Sequence, residues 1–309
     1  MTTTLSANPR PAASQPAPEA PPRLSLALPK GRIQEGVFRL LADAGIDVRV
    51  GPRGYRPSVS LPGVDAKILK PQNALEMLAS GSRDAGFGGA DWVQELDLDV
   101  VEVLDTGLDP VRLVAAAPPE MVDSTGRLKQ PKDRPLRVAS EYEAITRRWI
   151  EKAAPGAAFV RSYGATEAFP PEDADCIVDV AATGETLRAQ GLVVIETVLT
   201  STTRLYASRA AIADPERRAA IDRLALLLAS VLEARRRVML EVNVTPEALD
   251  RVVAVMPCMR QPTISPLRDG AGFAVKSAAP RASLPTLIPE IKARGGTDIV
   301  VTEMAQLVP

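Results

Sequence analysis

Apolar strand-like runs and amphipathic helical segments alternate between residues 24 and 181 of this 309-residue chain. The run LSLALP at 24–29 predicts a buried strand, and GRIQEGVFRLLADAGI at 31–46 predicts an amphipathic helix. The alternation continues through VDAKILK (64–70), NALEMLASGS (73–82), DAGFGGADWVQEL (84–96), VVEVLD (100–105), VRLVAAAP (111–118), RVASEY (137–142), EAITRRWIEKAA (143–154), AAFVRSYG (157–164) and CIVDVA (176–181). This order predicts an α/β protein whose mostly parallel sheet is covered by helices on both faces.

The pattern changes near residue 235. The strand ARRRVMLEVNV, the helix TPEALDRVVAVM, the strand GFAVKSAAP, the helix LIPEIKARGG and the strand TDIVVTEM follow one another. They predict a compact α+β domain of the β-α-β-β-α-β kind at 235–309. At the other end, residues 1–22 are rich in Pro and Ala and lack the apolar core of a signal peptide, so we predict a disordered tail there.

Charge and cysteine content limit the partners of the chain. Lys and Arg number 37 against 38 Asp and Glu, so no basic field attracts nucleic acid or an anionic membrane. No apolar run approaches the roughly 18 residues that span a bilayer. Two distant cysteines, Cys176 and Cys258, predict reduced thiols in a cytoplasmic protein.

The chain contains no histidine, which excludes several catalytic classes. Imidazole general bases, Ser-His and Cys-His nucleophile pairs and the usual zinc sites are all absent. An enzyme with this composition must work with carboxylates, cationic side chains, backbone amides and a hard divalent cation.

The stretch DCIVDVAATGETL combines two kinds of binding group. Asp175 and Asp179 stand four residues apart, and Thr183 to Thr186 follow in a turn that opens a predicted helix. Acids repel phosphate, whereas free backbone N–H groups at a helix start attract it. A ligand that suits both halves carries hydroxyls or a metal ion at one end and a phosphate at the other, as a ribose phosphate does. The alternative is a core strand followed by a helix cap.

Three other stretches place polar residues at predicted strand ends. LPKGRI puts Lys30 and Arg32 on either side of Gly31, GGAD ends in Asp91, and YGATE ends in Glu167. The cations suit phosphate, and Asp91 suits a hydroxyl or a purine amino group. Each stretch alone could be an ordinary turn, but ligands of α/β proteins bind at this edge of the sheet.

Five stretches together resemble the long form of ATP phosphoribosyltransferase, the family that begins histidine biosynthesis. They are LALPKGR, SEYEAITRRW, GATEAF, DCIVDVAATGETLRAQGL and MPCMRQPTISPL, and the resemblance runs from about residue 23 to the C-terminus. Its most specific part is the D-x-x-x-D-x-x-x-T-G-x-T-L run, which in that family binds phosphoribosyl pyrophosphate.

The resemblance implies a two-lobed catalytic body like that of type II periplasmic binding proteins. We expect lobe 1 at 23–112 and 202–234, lobe 2 with the phosphoribosyl pyrophosphate loop at 113–201, and a ferredoxin-like or ACT-like regulatory domain at 235–309. It also implies dimers and hexamers, and inhibition by histidine bound through Asn243, Thr263 and Ser265.

The reaction that the resemblance implies brings two polyanionic substrates together. An adenine nitrogen of ATP displaces diphosphate from the anomeric carbon of phosphoribosyl pyrophosphate, which needs positioning and charge stabilisation rather than a strong base. The implied contacts to phosphoribosyl pyrophosphate are Asp175, Asp179, Thr183, Gly184, Glu185 and Thr186. Those to ATP or diphosphate are Lys30, Gly31, Arg32, Arg53, Tyr55 and Asp91. Mg²⁺ is the implied cofactor, with Glu167, Asp175 and Asp179 as its possible ligands.

The chain departs from the family pattern at three places. Lys70-Pro71-Gln72-Asn73 replaces an Arg-x-x-Asp step, the turn at 170–173 is shorter and more acidic, and Ala165 stands where Ser is common. A diverged paralogue, a solute-binding protein and a regulatory subunit without chemistry therefore stay open as alternatives. Arg53 and Tyr55 could also belong to a plain surface loop, and 235–309 could serve assembly alone.

Overall fold

The structure is a computed structural model that describes residues 24–51, 54–181 and 184–309. The predicted tail at 1–22, Arg53 and Thr183 lie outside the described residues.

The described residues form fourteen strands and nine α-helices. The strands are β1 (Leu24–Pro29), β2 (Val48–Arg49), β3 (Ser58–Val59), β4 (Val64–Leu69), β5 (Ala85–Gly89), β6 (Val101–Ala117), β7 (Arg137–Ser140), β8 (Ala158–Arg161), β9 (Cys176–Ala181), β10 (Val193–Ala207), β11 (Arg237–Val244), β12 (Thr263–Pro266), β13 (Phe273–Pro280) and β14 (Thr297–Glu303). The helices are α1 (Gln34–Asp43), α2 (Pro71–Ala79), α3 (Ala90–Glu95), α4 (Glu143–Ala153), α5 (Glu185–Ala189), α6 (Arg209–Ala213), α7 (Pro215–Arg236), α8 (Leu249–Val253) and α9 (Leu284–Ala293).

The catalytic body expected from the sequence is built on one eight-stranded sheet with the order β4-β1-β5-β10-β6-β9-β7-β8. Each half places three parallel strands in the order second, first, third, followed by an antiparallel strand that arrives from the other half. This repeated arrangement is the two-lobed α/β body, and the predicted fold class is confirmed.

The prediction of separate strands at 100–105 and 111–118 was wrong, because β6 is one strand of 17 residues. Gly107 and Pro110 between the two runs are turn signals. Both halves nevertheless pair with the same partner, β10, so the segment between them stays extended with shifts in its register. β6 pairs with β9 only from Arg112 to Ala116, and β10 pairs with β5 from Thr203 onward. The predicted lobe boundaries at 112 and 201 are close to the positions where β6 and β10 change their strand partners, and they stay a prediction.

Helices cover both faces of the sheet in each lobe. In lobe 1, Val37 and Leu41 of α1 pack with α7 on one face, and Leu75 of α2 packs on the other. In lobe 2, Trp149 of α4 packs on one face and Leu187 of α5 on the other. The strand ends thus remain the exposed edges at which side chains from both lobes can meet a ligand.

The predicted C-terminal α+β domain is confirmed. β11, α8, β12, β13, α9 and β14 follow in that order, and the antiparallel sheet has the order β12-β13-β11-β14. Alternate residues of β11, from Val238 to Val244, are buried against the two helices. The other face of the sheet carries Glu241, Asn243 and Lys276 together with the exposed Val300. Within the described residues, no helix has both the length and the apolar character needed to cross a membrane.

Candidate active site

A cationic loop follows β1 at the carboxyl end of that strand. Lys30 and Arg32 are both exposed, and the Lys30 Nζ atom lies 5.2 Å from the centroid of the Tyr55 ring. Tyr55 is itself 61% exposed, so this cation–π pair borders open solvent. Gly31 between the two cations also lines a shallow groove of about 760 Å³ along α1.

Two adjoining cavities open at the meeting of the lobes, and Arg32 and Val111 line both of them; the first is formed mostly by lobe 1, and the second extends across to lobe 2. The first, of about 170 Å³, includes Lys30 and Asp91 of lobe 1. The second, of about 260 Å³, includes Glu167, Asp179, Gly184 and Thr186 of lobe 2. The structure therefore brings together the cations after β1 and most of the acids and turn residues that the sequence predicts.

Asp179 is the carboxylate that faces this cleft from β9. Burial raises its pKa to about 6, and the negative charges of Glu167 and Glu141 act in the same direction. The Val180 N–H donates to Asp179 Oδ1 at 2.6 Å, and the Thr166 hydroxyl also hydrogen bonds with the carboxylate. These bonds fix the side chain in an acidic surrounding that a bound cation or hydroxyl group would relieve.

The turn after β9 opens helix α5. Gly184 is its N-cap residue and has a φ of 75°, a left-handed conformation that glycine adopts without strain. Glu185 and Thr186 occupy the first turn and are exposed, and Thr186 lines the cavity whereas Glu185 does not. The N–H groups of a helix's first turn lack intrahelical partners, which suits this end of the cavity to an anionic group.

Asp175 does not join the cleft, so its predicted ribose and metal contacts are corrected. It precedes β9 at the amino end of the strand, and its carboxylate receives Arg134 Nη1 at 2.5 Å and Nη2 at 2.6 Å. The Arg137 N–H donates to the same carboxylate at 2.8 Å. Four residues of strand span roughly 13 Å, which separates the two acids by the length of β9. We therefore leave Asp175 out of the proposed site.

Asp91 lines the cleft, but protein groups occupy both of its oxygens. The Ser201 hydroxyl donates to Oδ1 at 2.6 Å, and the Tyr142 hydroxyl donates to Oδ2 at 2.8 Å. Burial, followed by the charge of Asp91, raises the pKa of Tyr142 and keeps its hydroxyl a donor. Gly89 permits this geometry, because a Cβ atom there would overlap the Asp91 carboxylate. The sequence suggested that Asp91 offers its carboxylate to a ligand. In the structure, Asp91 instead holds Tyr142 and Ser201 in place in the cleft.

Sequence reasoning missed three residues of this region. Tyr142 and Ser201 contact Asp91 but are 51 and 110 residues away from it in the sequence, so no local pattern predicts these contacts. Glu141 directly follows β7, and its negative charge raises the pKa of Asp179. It stands in the stretch SEYEAITRRW, where an acid directly after a predicted strand could have marked it as a site residue.

The residues near Asp179 fit one mode of magnesium binding. Within the described ranges, no three His, Cys, Asp or Glu side chains converge closely enough to enclose a metal ion. Mg²⁺ is usually held by one or two carboxylates together with substrate phosphates and water. Asp179 and Glu167, which line the same cavity, can supply that smaller set.

The three residues predicted for regulation lie on the C-terminal sheet. Asn243 of β11 and Ser265 of β12 both pair with Ala274 of β13, so they share one face at about 10 Å separation. Thr263 lies two residues from Ser265 on the same edge strand and is exposed. Asn243 Nδ2 donates to Asp298 Oδ2 at 3.1 Å. The three polar groups therefore face one surface.

Comparison with known proteins identifies the family. The model described as HisG, ATP phosphoribosyltransferase, matches residues 70–230, and that of the HisG C-terminal domain matches 234–306. The chain belongs to the ATP phosphoribosyltransferase family. The second match makes it a long-form member, as the sequence resemblance predicts.

Similar proteins extend over nearly the whole chain. ATP phosphoribosyltransferases of Pelotomaculum thermopropionicum and Desulforudis audaxviator are each 36% identical over 293 residues, covering 93% of this chain and all of theirs. That of Chlorobaculum parvum is 35% identical over 92% of this chain and 97% of its own. Among solved structures, the ATP phosphoribosyl transferase (HisG:HisZ) complex from Thermotoga maritima aligns with a TM-score of 0.58 at 23% identity, covering 68% of this chain and 98% of that chain. That likeness supports the fold of the body.

Proposed function

We propose that this chain transfers the phosphoribosyl group of phosphoribosyl pyrophosphate to ATP in the cleft between its lobes, as the first step of histidine biosynthesis. One observation carries the site. Arg32 of lobe 1 lines the same cavity as Asp179, Gly184 and Thr186 of lobe 2. A cationic side chain therefore faces the acid and the turn that opens α5 across one space.

Lobe 2 holds the donor substrate in this proposal. The first-turn N–H groups of α5 and the hydroxyls of Thr183 and Thr186 bind the 5′-phosphate. Asp179, with a pKa of about 6, is mostly ionised near pH 7 and accepts hydrogen bonds from the ribose hydroxyls. Glu185 contributes its backbone, since it does not belong to the residues that line the cavity.

Lobe 1 holds ATP and balances the charge of the leaving diphosphate. Lys30 and Arg32 meet phosphate oxygens, and Tyr55 with Arg53 contacts the nucleotide from the neighbouring loop. The attacking adenine nitrogen has its own lone pair, so orientation and charge stabilisation carry the reaction. Asp91 keeps Tyr142 and Ser201 in place beside the reacting groups.

Magnesium is the proposed cofactor. Asp179 and Glu167 would hold it together with the diphosphate of the donor substrate, and the ion would neutralise charge on the departing diphosphate. Asp175 takes no part, since Arg134 already engages its carboxylate.

Release of diphosphate by the purified chain tests the reaction. We expect release when ATP, phosphoribosyl pyrophosphate and Mg²⁺ are present together and none with either substrate alone. Arg32→Ala should lower kcat/KM at least tenfold, because it removes a charge-assisted phosphate contact. The matched control is Arg218→Ala, which removes an exposed lobe 1 cation from α7 and should leave kcat/KM unchanged. A solute-binding protein or an inactive subunit would release no diphosphate.

Histidine is the proposed inhibitor, bound on the C-terminal sheet by Asn243, Thr263 and Ser265. Asp298 adds a carboxylate beside Asn243 that suits the ammonium group of an amino acid. Thr263→Ala should weaken inhibition about fivefold while leaving uninhibited turnover near normal, since regulatory coupling is separable from chemistry. Thr286→Ala on α9 is the control. Calorimetry that detects no histidine binding to the wild-type chain would contradict this assignment.

We further propose that the chain works in the cytoplasm as a dimer or hexamer to which residues 235–309 contribute. Cys176 is buried and neither cysteine is paired, as expected for reduced thiols. Light scattering of the full chain with and without histidine tests the assembly, and a monomer under both conditions would contradict it.

A further inference from the structure

Helix α3 of lobe 1 caps helix α4 of lobe 2. Glu95 Oε1 accepts the Ala144 N–H and Oε2 accepts the Ile145 N–H, both at 3.1 Å. The N-cap residue of α4, Tyr142, makes no side-chain cap of its own. A carboxylate from the other lobe thus satisfies two of the unpaired donors at the start of α4 and complements the helix dipole.

The same short helix makes three more contacts with lobe 2. Asp91, one turn before Glu95, accepts the Tyr142 hydroxyl. The rings of Trp92 and Tyr142 lie 4.7 Å apart between centroids. The Gln94 carbonyl accepts Arg148 Nη2 at 3.0 Å. We call this set, between residues 91–95 and residues 142–148, the α3–α4 contact.

The orientation of the lobes decides whether the two halves of the cleft face each other. Strands β6 and β10 connect the lobes covalently, and both have register irregularities near the crossing, at Leu108 to Val111 and at Ser201 to Thr203. The α3–α4 contact lies beside this crossing, and Asp91 belongs both to it and to the cleft lining. A side chain that fixes α3 on α4 therefore sets the distance between cations and phosphate turn.

We propose that Glu95 is a positioning residue that holds the two lobes in the orientation required for transfer. Glu95 lines neither cavity of the cleft, and it acts through α4 and Tyr142. This inference rests on the proposed function for its catalytic consequence, whereas the orientation of the lobes is a property of the chain itself. Misplacement of reacting groups by about 1 Å lowers rates by about 100-fold, so loosening this contact has a large effect on turnover.

A kinetic comparison tests the proposal against a purely structural role. Glu95→Ala should lower kcat at least tenfold, while calorimetric affinity for phosphoribosyl pyrophosphate alone changes less than threefold, because the ribose and the 5′-phosphate of that substrate bind within lobe 2. The matched control is Asp214→Ala. Asp214 caps α7 by accepting the Glu216 and Arg217 N–H groups inside lobe 1, so its loss removes an equivalent cap without touching the lobe contact. Its kcat should stay within twofold of wild type.

A distance measurement tests the orientation without any assay of activity. Spin labels report the separation of the lobes at Arg223→Cys, an exposed position of α7 beyond its first turn in lobe 1, and at Lys152→Cys in lobe 2. Both are introduced in a Cys258→Ala background, and the labelled chain is diluted with unlabelled chain. Glu95→Ala should broaden or shift the distance distribution, and Asp214→Ala should not. If Glu95→Ala does not fold, Glu95→Gln takes its place, because it keeps the volume but loses the charge and one acceptor. We expect Glu95→Gln to lower kcat threefold or more.

Three results would overturn the proposal: an unchanged kcat, an equal loss of kcat and of donor affinity, or distance distributions that match the wild type. A wild-type chain that releases no diphosphate would refute the proposed function instead, and the label distances would still decide the role of Glu95.

Discussion

The two ends of β9 carry carboxylates in opposite environments. Asp175 at the amino end is 3% exposed, and its hydrogen bonds with the Arg134 guanidinium lower its pKa. Asp179 near the carboxyl end faces the cleft beside Glu167 and Glu141, and burial raises its pKa to about 6. The acid that is ion-paired with arginine stabilises the lobe, and the acid that lines the cavity is the one placed to meet a ligand. Two acids that stand four residues apart in one sequence motif thus have different roles in the folded chain.

The largest effect is expected at the structural end. Asp175→Asn removes the charge that holds Arg134 and leaves a buried amide whose NH₂ group faces donors. We expect a loss of about 3 kcal/mol in the free energy of unfolding at pH 7. Turnover of the folded fraction should stay within twofold of wild type. Urea unfolding measures the loss, and Asp173→Asn, an exposed acid two residues earlier, is the control. A stable Asp175→Asn variant with tenfold lower activity would return Asp175 to the site.

The second test uses pH, because the two acids change stability in opposite directions. The pKa of Asp179 is raised in the folded state, so the folded chain binds the extra proton. Its favourable contribution is complete below the ordinary pKa near 3.8 and is lost as the pH rises through about 6. The pKa of Asp175 is lowered, so its contribution is present above that ordinary value and is lost as the pH falls below it.

The stability gained by Asp179→Asn over the wild type should therefore grow as the pH rises from 4 to 7 and reach about 2 kcal/mol without ligands. The variant should also lose at least tenfold in kcat/KM for phosphoribosyl pyrophosphate. Urea unfolding at pH 4.5, 6.0 and 7.5 measures the first effect. Asp175→Asn run in parallel should show a deficit that stays constant over this range, because the contribution of Asp175 is lost only below about pH 3.8. Equal stability of Asp179→Asn and wild type at all three pH values would remove the contrast between the two ends.

Periodicity predicted most of the fold. The apolar alternation of β11 and the order of strands and helices were sufficient for an α/β body and a C-terminal α+β domain, whereas the division of the body into two lobes was implied by the family resemblance. β6 was not predictable as one strand, because its continuity depends on pairing with β10 some 90 residues later, and Gly107 and Pro110 signal a turn locally.

The site was predictable where a local motif carries it. Arg32, Asp179 and Thr186 belong to short stretches whose chemistry can be read directly, and the structure brings them to one cavity. Asp175 was misinterpreted because its partner, Arg134, lies 41 residues away. Glu95 was missed for the same reason, since its two partners are 49 and 50 residues away. Spacing along one strand or helix cannot show which partner a carboxylate finds in the folded chain.

The smallest effect is expected at Thr186. It tests whether the carboxyl end of β9 binds phosphoribosyl pyrophosphate through residues other than Asp179. Thr186 lies seven residues beyond Asp179, in the first turn of α5, and its exposed side chain lines the same cavity. Thr186→Ala removes one hydroxyl donor to a phosphate, worth about 1.5 kcal/mol or roughly tenfold in affinity. Alanine favours helix, so unfolding should not change. Thr186→Ser keeps the hydroxyl and should retain most of the affinity. Titration of phosphoribosyl pyrophosphate into the three chains measures the difference. If alanine and serine bind it equally well, the hydroxyl has no part in holding the phosphate, and only the backbone N–H groups and Asp179 distinguish this end of the strand from the other.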